Sequence, residues 1–217
     1  MTSVILVAGG VGTRMGAPTP KQFLPLRGKM VASYSLDLFR FMPEVVELVV
    51  VCAPEYRHQF PSGVLFADPG PRRQDSVYNG LQKTSQPCVL IHDAARPLID
   101  AALVRAVLNA VHTYGAATAA TLVPFTVKEG TVDGMVVKTL DRSRLWDIQT
   151  PQGARRDLLI QGFEKANQQG LTLTDDVSLI ELRGLPVKLV QGPSHNLKLT
   201  LPRDFAVAEQ LLCTLQN

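Results

Sequence analysis

The chain has 217 residues, with 22 Lys and Arg against 19 Asp and Glu, a formal net charge of +3. That mild excess excludes a polyanion-binding composition, and with 46% hydrophobic and 19% charged residues it can bury a sizeable core, which excludes intrinsic disorder. No apolar run approaches the roughly 18 to 20 residues that span a bilayer. The longest, Val4–Ala8 and Leu48–Ala53, are strand-sized. Gly9-Gly10 interrupts the apolar N-terminus, and no cation precedes Arg14, so a signal peptide is not indicated and a cytoplasmic protein is expected.

In chain order, short β-branched runs alternate with helical patterns, which predicts an α/β domain with a mostly parallel sheet flanked by helices. Strands are expected at Val4–Ala8, Val45–Cys52, Val64–Ala67, Val89–His92, Ala117–Val123 and Val187–Val190. Val31, Tyr34, Leu38 and Phe41 fall at helical spacing, and Pro43 ends that helix. Further helices are expected at Ser76–Lys83, after the N-cap Asp100, and at Arg156–Asn167, Asp175–Arg183 and Asp204–Leu215. Between Pro124 and Leu140 the pattern changes to two polar strand-like segments around Asp133-Gly134, a turn signal. This predicts a β-arm at about 124–144, inserted in a single domain spanning 1–217. Because an isolated ribbon is marginally stable, a second copy of the chain is its expected partner.

Cys52, Cys88 and Cys213 are scattered and lie in no metal-ligand spacing, so packing thiols are expected. His92, at the end of a strand, is expected to be structural. The chemistry is expected in the loop after the first strand, Ala8-Gly9-Gly10-Val11-Gly12-Thr13-Arg14-Met15-Gly16. Its glycines let backbone N–H groups approach phosphate oxygens, and ligands of open α/β sheets lie beyond the strands' C-terminal ends. The P-loop pattern fails, since Arg14 and Met15 occupy positions it reserves for other residues, and the dinucleotide fingerprint fails at Met15 and Cys52. What stands out is a pair of cations, Arg14 and Lys21, suited to a triphosphate attacked at its α-phosphorus. Asp93, at the end of the fourth strand, faces the same edge and is the candidate Mg²⁺ ligand, with Arg96 beside it.

Gly10-Val11-Gly12-Thr13-Arg14-Met15, Pro20-Lys21-Gln22 and Asp93-Ala94-Ala95-Arg96-Pro97 together resemble the 2-C-methyl-D-erythritol 4-phosphate cytidylyltransferases. The likeness continues through Arg73-Gln74-Asp75-Ser76-Val77, Asp141-Arg142, Thr150-Pro151-Gln152, Thr174-Asp175 and Asn196-Leu197-Lys198-Leu199-Thr200. It implies a Rossmann-like fold and a homodimer joined by the arm. It also implies transfer of the cytidylyl group of CTP to a polyol phosphate, with Mg²⁺ as cofactor and neither nucleic acid nor membrane as partner. By position, the resemblance gives Ala8, Gly9, Gly10 and Gly12 to the triphosphate, and Arg14 and Lys21 to stabilising the pentavalent phosphorus. Gly70 and Ser76 fall to the cytosine, Ala94 to the ribose and Asp93 to Mg²⁺. Arg96, Thr126, Arg142, Thr150 and Thr174 fall to the acceptor, and Lys198 to both substrates. A ribitol-5-phosphate cytidylyltransferase and an inactive nucleotide-binding subunit are the competing readings. Two departures from the family pattern are Pro69-Gly70-Pro71 in place of a Gly-Gly pair, and Gly9 in place of an alanine.

Overall fold

The computed structural model describes residues 1–10 and 19–215. A seven-stranded sheet carries the fold, built from β1 (Thr2–Val7), β4 (Val45–Val51), β5 (Leu65–Ala67), β6 (Cys88–Asp93), β7 (Ala116–Leu122), β10 (Trp146–Arg155) and β11 (Lys188–Gln191). Their order is β11-β7-β10-β6-β1-β4-β5. All neighbouring pairs are parallel except those of β10, which runs antiparallel to both β6 and β7. Two short ribbons stand apart: β2 (Pro25–Leu26) with β3 (Lys29–Met30), and β8 (Lys128–Gly130) with β9 (Val136–Thr139). The alternation of strand and helix therefore gives the expected mostly parallel α/β sheet.

Side-chain alternation along the central strand divides the core in two. Val4 and Leu6 face α1 (Val31–Phe41) and α3 (Ala101–Tyr114), meeting Leu36, Phe39, Val104, Val107 and Val111. Ile5 faces the other way, toward α2 (Arg73–Leu81) and α4 (Arg156–Gln168), meeting Val77, Leu81, Leu159 and Phe163. A third cluster joins Leu26, Val31 and Leu199 to Ala208 and Leu212 of α6 (Pro202–Leu215), clamping the chain just before that helix. Asp100 caps α3 as expected, accepting from the Leu103 N–H at 2.7 Å. The helix expected over Asp175–Arg183 is shorter: only α5 (Ser178–Glu181) forms, and the residues before it make a loop.

The order of strands places β6 on one side of β1 and β4 on the other, so the chain leaves the sheet in opposite directions from its centre. Such a reversal opens a crevice at the strands' C-terminal ends. The register pairs Val7 with Asp93, which puts the glycine loop and Asp93 side by side at that crevice. Among the described residues no helix is long and apolar enough to cross a membrane.

Candidate active site

The crevice holds two cavities. The first, of about 350 Å³, lies between the start of the glycine loop and the loop before α2, and is lined by Gly9, Gly10, Lys21, Gly70 and Ser76. The second, of about 310 Å³, is lined by Arg96, Thr150, Gln152, Thr174 and Asp175. Arg73, Asp93 and Lys198 line both and form the wall they share.

The first cavity is shaped by backbone constraints. Gln22, which is 3% exposed, donates from Nε2 to the Ala8 carbonyl at 2.6 Å and to the Gly10 carbonyl at 2.8 Å. One buried amide thereby fixes the path by which the chain leaves β1. The Ala8 N–H is spent on Val51 at 2.9 Å, so Ala8 shapes the turn but has no N–H to offer a phosphate. Gly12 and Arg14 lie outside the described residues. On the opposite wall the Ser76 hydroxyl accepts from the Gly70 N–H at 2.9 Å, joining the two residues expected at the cytosine. Gly70 itself admits no side chain, since a Cβ there would come within 2.4 Å of Asp75 Cβ. Ala94, expected near the ribose, has its side chain wholly buried in the core, and the neighbouring Ala95 lines the cavity.

At the shared wall, Asp93 is 7% exposed and sits between two cations. Lys198 Nζ reaches its Oδ2 at 2.6 Å, while Arg73 Nη2 and Nε reach Oδ1 at 3.1 and 3.3 Å. Burial works to raise the Asp93 pKa, yet the Arg73 and Lys198 charges outweigh it and hold the carboxyl well below the usual carboxylate range. It is therefore ionised at neutral pH. Lys198 is delivered there by stitching on both sides: Asn196 donates to Gln149 Oε1 at 2.9 Å and to the Thr150 carbonyl at 2.8 Å, and the Leu199 N–H donates to Ala95 at 2.9 Å.

His92 is structural, as expected. Its Nε2 faces the Arg96 carbonyl at 3.1 Å and must donate to it, which leaves Nδ1 to accept from the Thr150 hydroxyl at 3.0 Å. Burial pushes its pKa down to about 4, so the ring is neutral at physiological pH. The Thr150 hydroxyl also accepts from the Asp93 N–H at 3.1 Å. The O–H and one lone pair are thus taken up in holding the end of β6, and one lone pair of the Thr150 hydroxyl is left over. Arg96 is 9% exposed, and its Nη1 donates to the Asn196 carbonyl at 2.8 Å. Its Nε is a buried donor with no hydrogen-bond partner among the described residues, while the residue as a whole contributes to the wall of the second cavity.

Thr174 is exposed at the rim of the second cavity. Next to it, Asp175 Oδ1 accepts from the Ser178 N–H at 3.1 Å, just ahead of α5, whose N-cap position is Val177. Thr126 and Arg142 line neither cavity: both are exposed at the base of the β8–β9 arm, where Arg142 Nη1 donates to the Pro124 carbonyl at 2.9 Å. Within one chain, then, Asp93, Lys198, Arg96, Thr150 and Thr174 come together while Thr126 and Arg142 stay apart. Gln22, Gln152 and Asp176 carry no role in the sequence reading, although all are buried and hold site loops in place. Gln22 and Gln152 stand in the motifs Pro20-Lys21-Gln22 and Thr150-Pro151-Gln152, and Asp176 directly follows Thr174-Asp175, so their places, though not their roles, were marked in the sequence.

The donor set suits a magnesium ion carried in by its substrate. Mg²⁺ typically takes one or two carboxylates and completes its shell with phosphate oxygens and water. Asp93 supplies one ionised carboxylate, and among the described residues no group of three acidic, His or Cys side chains forms a protein-only cage.

Residues 2–214 match the family model described as 2-C-methyl-D-erythritol 4-phosphate cytidylyltransferase. The chloroplastic enzyme of that name from Oryza sativa subsp. japonica is 45% identical, over 97% of this chain and 74% of its own. The Chlamydia abortus protein of the same name is 43% identical over 97% of this chain and 95% of its own. The crystal structure of the Thermus thermophilus enzyme superimposes with a TM-score of 0.82 at 34% identity, covering 97% of this chain and 98% of that one. The Francisella tularensis structure gives 0.84 at 28% identity, over 96% and 98%. With the crevice, its cations and this agreement in sequence and fold, the chain belongs to the 2-C-methyl-D-erythritol 4-phosphate cytidylyltransferase family of nucleotidyltransferases.

Proposed function

We propose that this chain, as one domain bearing a β-arm and as a homodimer, joins CTP to 2-C-methyl-D-erythritol 4-phosphate with Mg²⁺ as cofactor. A phosphate oxygen of the acceptor attacks the α-phosphorus of CTP, the bond to the β-phosphate breaks, and pyrophosphate leaves. The single observation that carries the reading is the shared wall: a carboxylate and two cations stand where a nucleotide cavity meets an acceptor cavity. Bound magnesium would neutralise phosphate charge as it builds, with Asp93 as its protein ligand.

The remaining work falls to side chains that position and to cations. The acceptor is a phosphate monoester and the nucleotide a polyanion, so their encounter is opposed until cations offset the repulsion. Lys21, lining the nucleotide cavity, is proposed with Arg14 to stabilise charge on the pentavalent phosphorus. Gly9, Gly10 and Gly12 would leave the triphosphate room along the loop, and Gly70 and Ser76 would face the cytosine. Lys198 reaches the boundary of both cavities and would serve both substrates. Arg96, in the wall of the second cavity, would meet a ligand oxygen there, with Thr174 at its rim. Thr126 and Arg142 would complete that cavity in the partner subunit. The acceptor's attacking oxygen is already anionic and needs no general base, in keeping with a His92 that is neutral and fully bonded.

The test is pyrophosphate release from CTP and Mg²⁺ with methylerythritol phosphate or ribitol 5-phosphate as acceptor. Release with the first alone is expected. Release with ribitol phosphate alone would overturn the acceptor assignment, and release with neither would leave a nucleotide-binding subunit.

A further inference from the structure

Arg73 has a place in the site that the family resemblance does not assign it. It begins α2, on the nucleotide side, yet its guanidinium crosses to the loop before α5 on the acceptor side. There Nη1 and Nη2 form a two-pronged pair with Asp176 Oδ1 and Oδ2, each at 2.8 Å. Asp176 is 3% exposed and is itself held, its N–H donating to Gln152 Oε1 at 2.8 Å. Gln152 in turn donates from Nε2 to the Gln149 carbonyl at 3.2 Å, within β10. The guanidinium is thus anchored through a rigid fork to the sheet.

The two contacts it makes with Asp93 both fall on Oδ1, through Nη2 and Nε. The other oxygen, Oδ2, is met by Lys198, a point charge on a flexible stem whose side chain is 37% exposed. The two oxygens of Asp93 therefore have unlike partners, one fixed and one exchangeable. A carboxylate held by one oxygen keeps the other aimed in a constant direction, here at the boundary of the two cavities.

We infer that Arg73 is a positioning residue: anchored by Asp176, it fixes Asp93 through Oδ1 so that Oδ2 is presented to whatever cation the reaction brings, in place of Lys198. The inference rests on the proposed role of Asp93 in the reaction. A purely structural alternative is that Arg73 serves only to neutralise buried Asp176, and the two can be separated.

Arg73→Ala alone would strand the Asp176 carboxylate and risk misfolding, so the informative protein is the double variant Arg73→Gln with Asp176→Asn, which removes both charges together. It is expected to fold, to lose about tenfold or more in kcat, and to keep a KM for CTP within about threefold of the parent. Crystals of the ligand-free double variant should show the Asp93 carboxylate turned or split between orientations. Parental kcat, or a carboxylate left in its place, would overturn the inference. Asp93→Asn is measured beside it. If that variant is inactive while the double variant is fully active, the role of Arg73 fails alone; if Asp93→Asn is itself fully active, Asp93 has no part in the reaction and both readings fail.

Discussion

A methyl group added at Gly9 would meet Pro69 Cβ at 2.6 Å, closer than carbon atoms approach. The two departures from the family pattern, glycine at 9 and proline at 69, are therefore one feature. Read along the chain, Gly9 is simply a missing methyl and Pro69 a residue that fixes φ and donates no N–H. Folded, the ring of Pro69 fills the space that the methyl would occupy. Pro69 carries Gly70 and Gly9 precedes Gly10, so their contact sets the width of the nucleotide cavity. Gly9→Ala is accordingly expected to destabilise by about 1 to 3 kcal/mol, the range for overpacking, and to raise the KM for CTP. Adding Pro69→Gly should restore most of both losses. Urea unfolding and CTP kinetics on the two single variants and the double check this, and strictly additive effects would show that the residues do not touch in solution.

At the scale of elements, the β8–β9 arm is a two-stranded ribbon separate from the main sheet. Every residue of β8 and β9 is exposed, and Phe125, Val132, Met135 and Val136 present apolar side chains to solvent, at 64% exposure or more. Such a surface on a two-stranded ribbon is expected to be covered. In the proposed dimer a second copy covers it, and Thr126 and Arg142 at its base serve that copy's second cavity. Deleting Glu129–Gly134 should therefore shift the sedimentation coefficient from dimer to monomer and lower turnover with it; an unchanged profile would argue against the arm as the joint. The arm was legible because Asp133-Gly134 marks its turn, and Gly134 does take a left-handed φ of 88°. The strand β10 was not legible. Its sequence, Trp146–Arg155, mixes Asp147, two glutamines, Pro151 and Gly153 with few β-branched residues, yet it lies between β6 and β7 in the middle of the sheet. Tertiary packing explains this: Gly153 sits where a Cβ would strike Leu90 and Val111 at 2.6 and 2.8 Å, so α3 packs close over the strand because no side chain intervenes. Propensity yields to burial there. The same strand carries Gln149 and Gln152, so those two supports of the site were missed together with the element that bears them, while Thr150 was named only through the family resemblance.

For the molecule as a whole, the sheet separates chemistry from stability along its strands. The C-terminal ends of β1 and β6 carry the site, while the opposite ends are tied by Glu47 of β4. Glu47 Oε2 accepts from the Ser3 hydroxyl at 2.5 Å and from the Ser85 N–H at 2.8 Å, and Oε1 accepts from the Ser85 hydroxyl. One carboxylate thereby joins β4, β1 and the loop that leads into β6. Partial burial works to raise its pKa, but the hydrogen bonds from Ser3 and Ser85 win and bring it from the ordinary 4.5 down to about 2. A carboxylate with a depressed folded-state pKa adds stability that is present above the unfolded value and is lost as pH falls toward the folded one. Glu47 should therefore stabilise at neutral pH, by on the order of 1 kcal/mol once solvent screening is allowed for, and lose that contribution between 4.5 and about 2. Glu47→Gln should lower the urea midpoint at neutral pH, leave turnover unchanged, and converge on the parent as the medium is acidified through that window. A gap between the two proteins that stays constant down to about pH 3 would mean that the Glu47 charge contributes nothing, and that only the shape of the side chain holds the strands together.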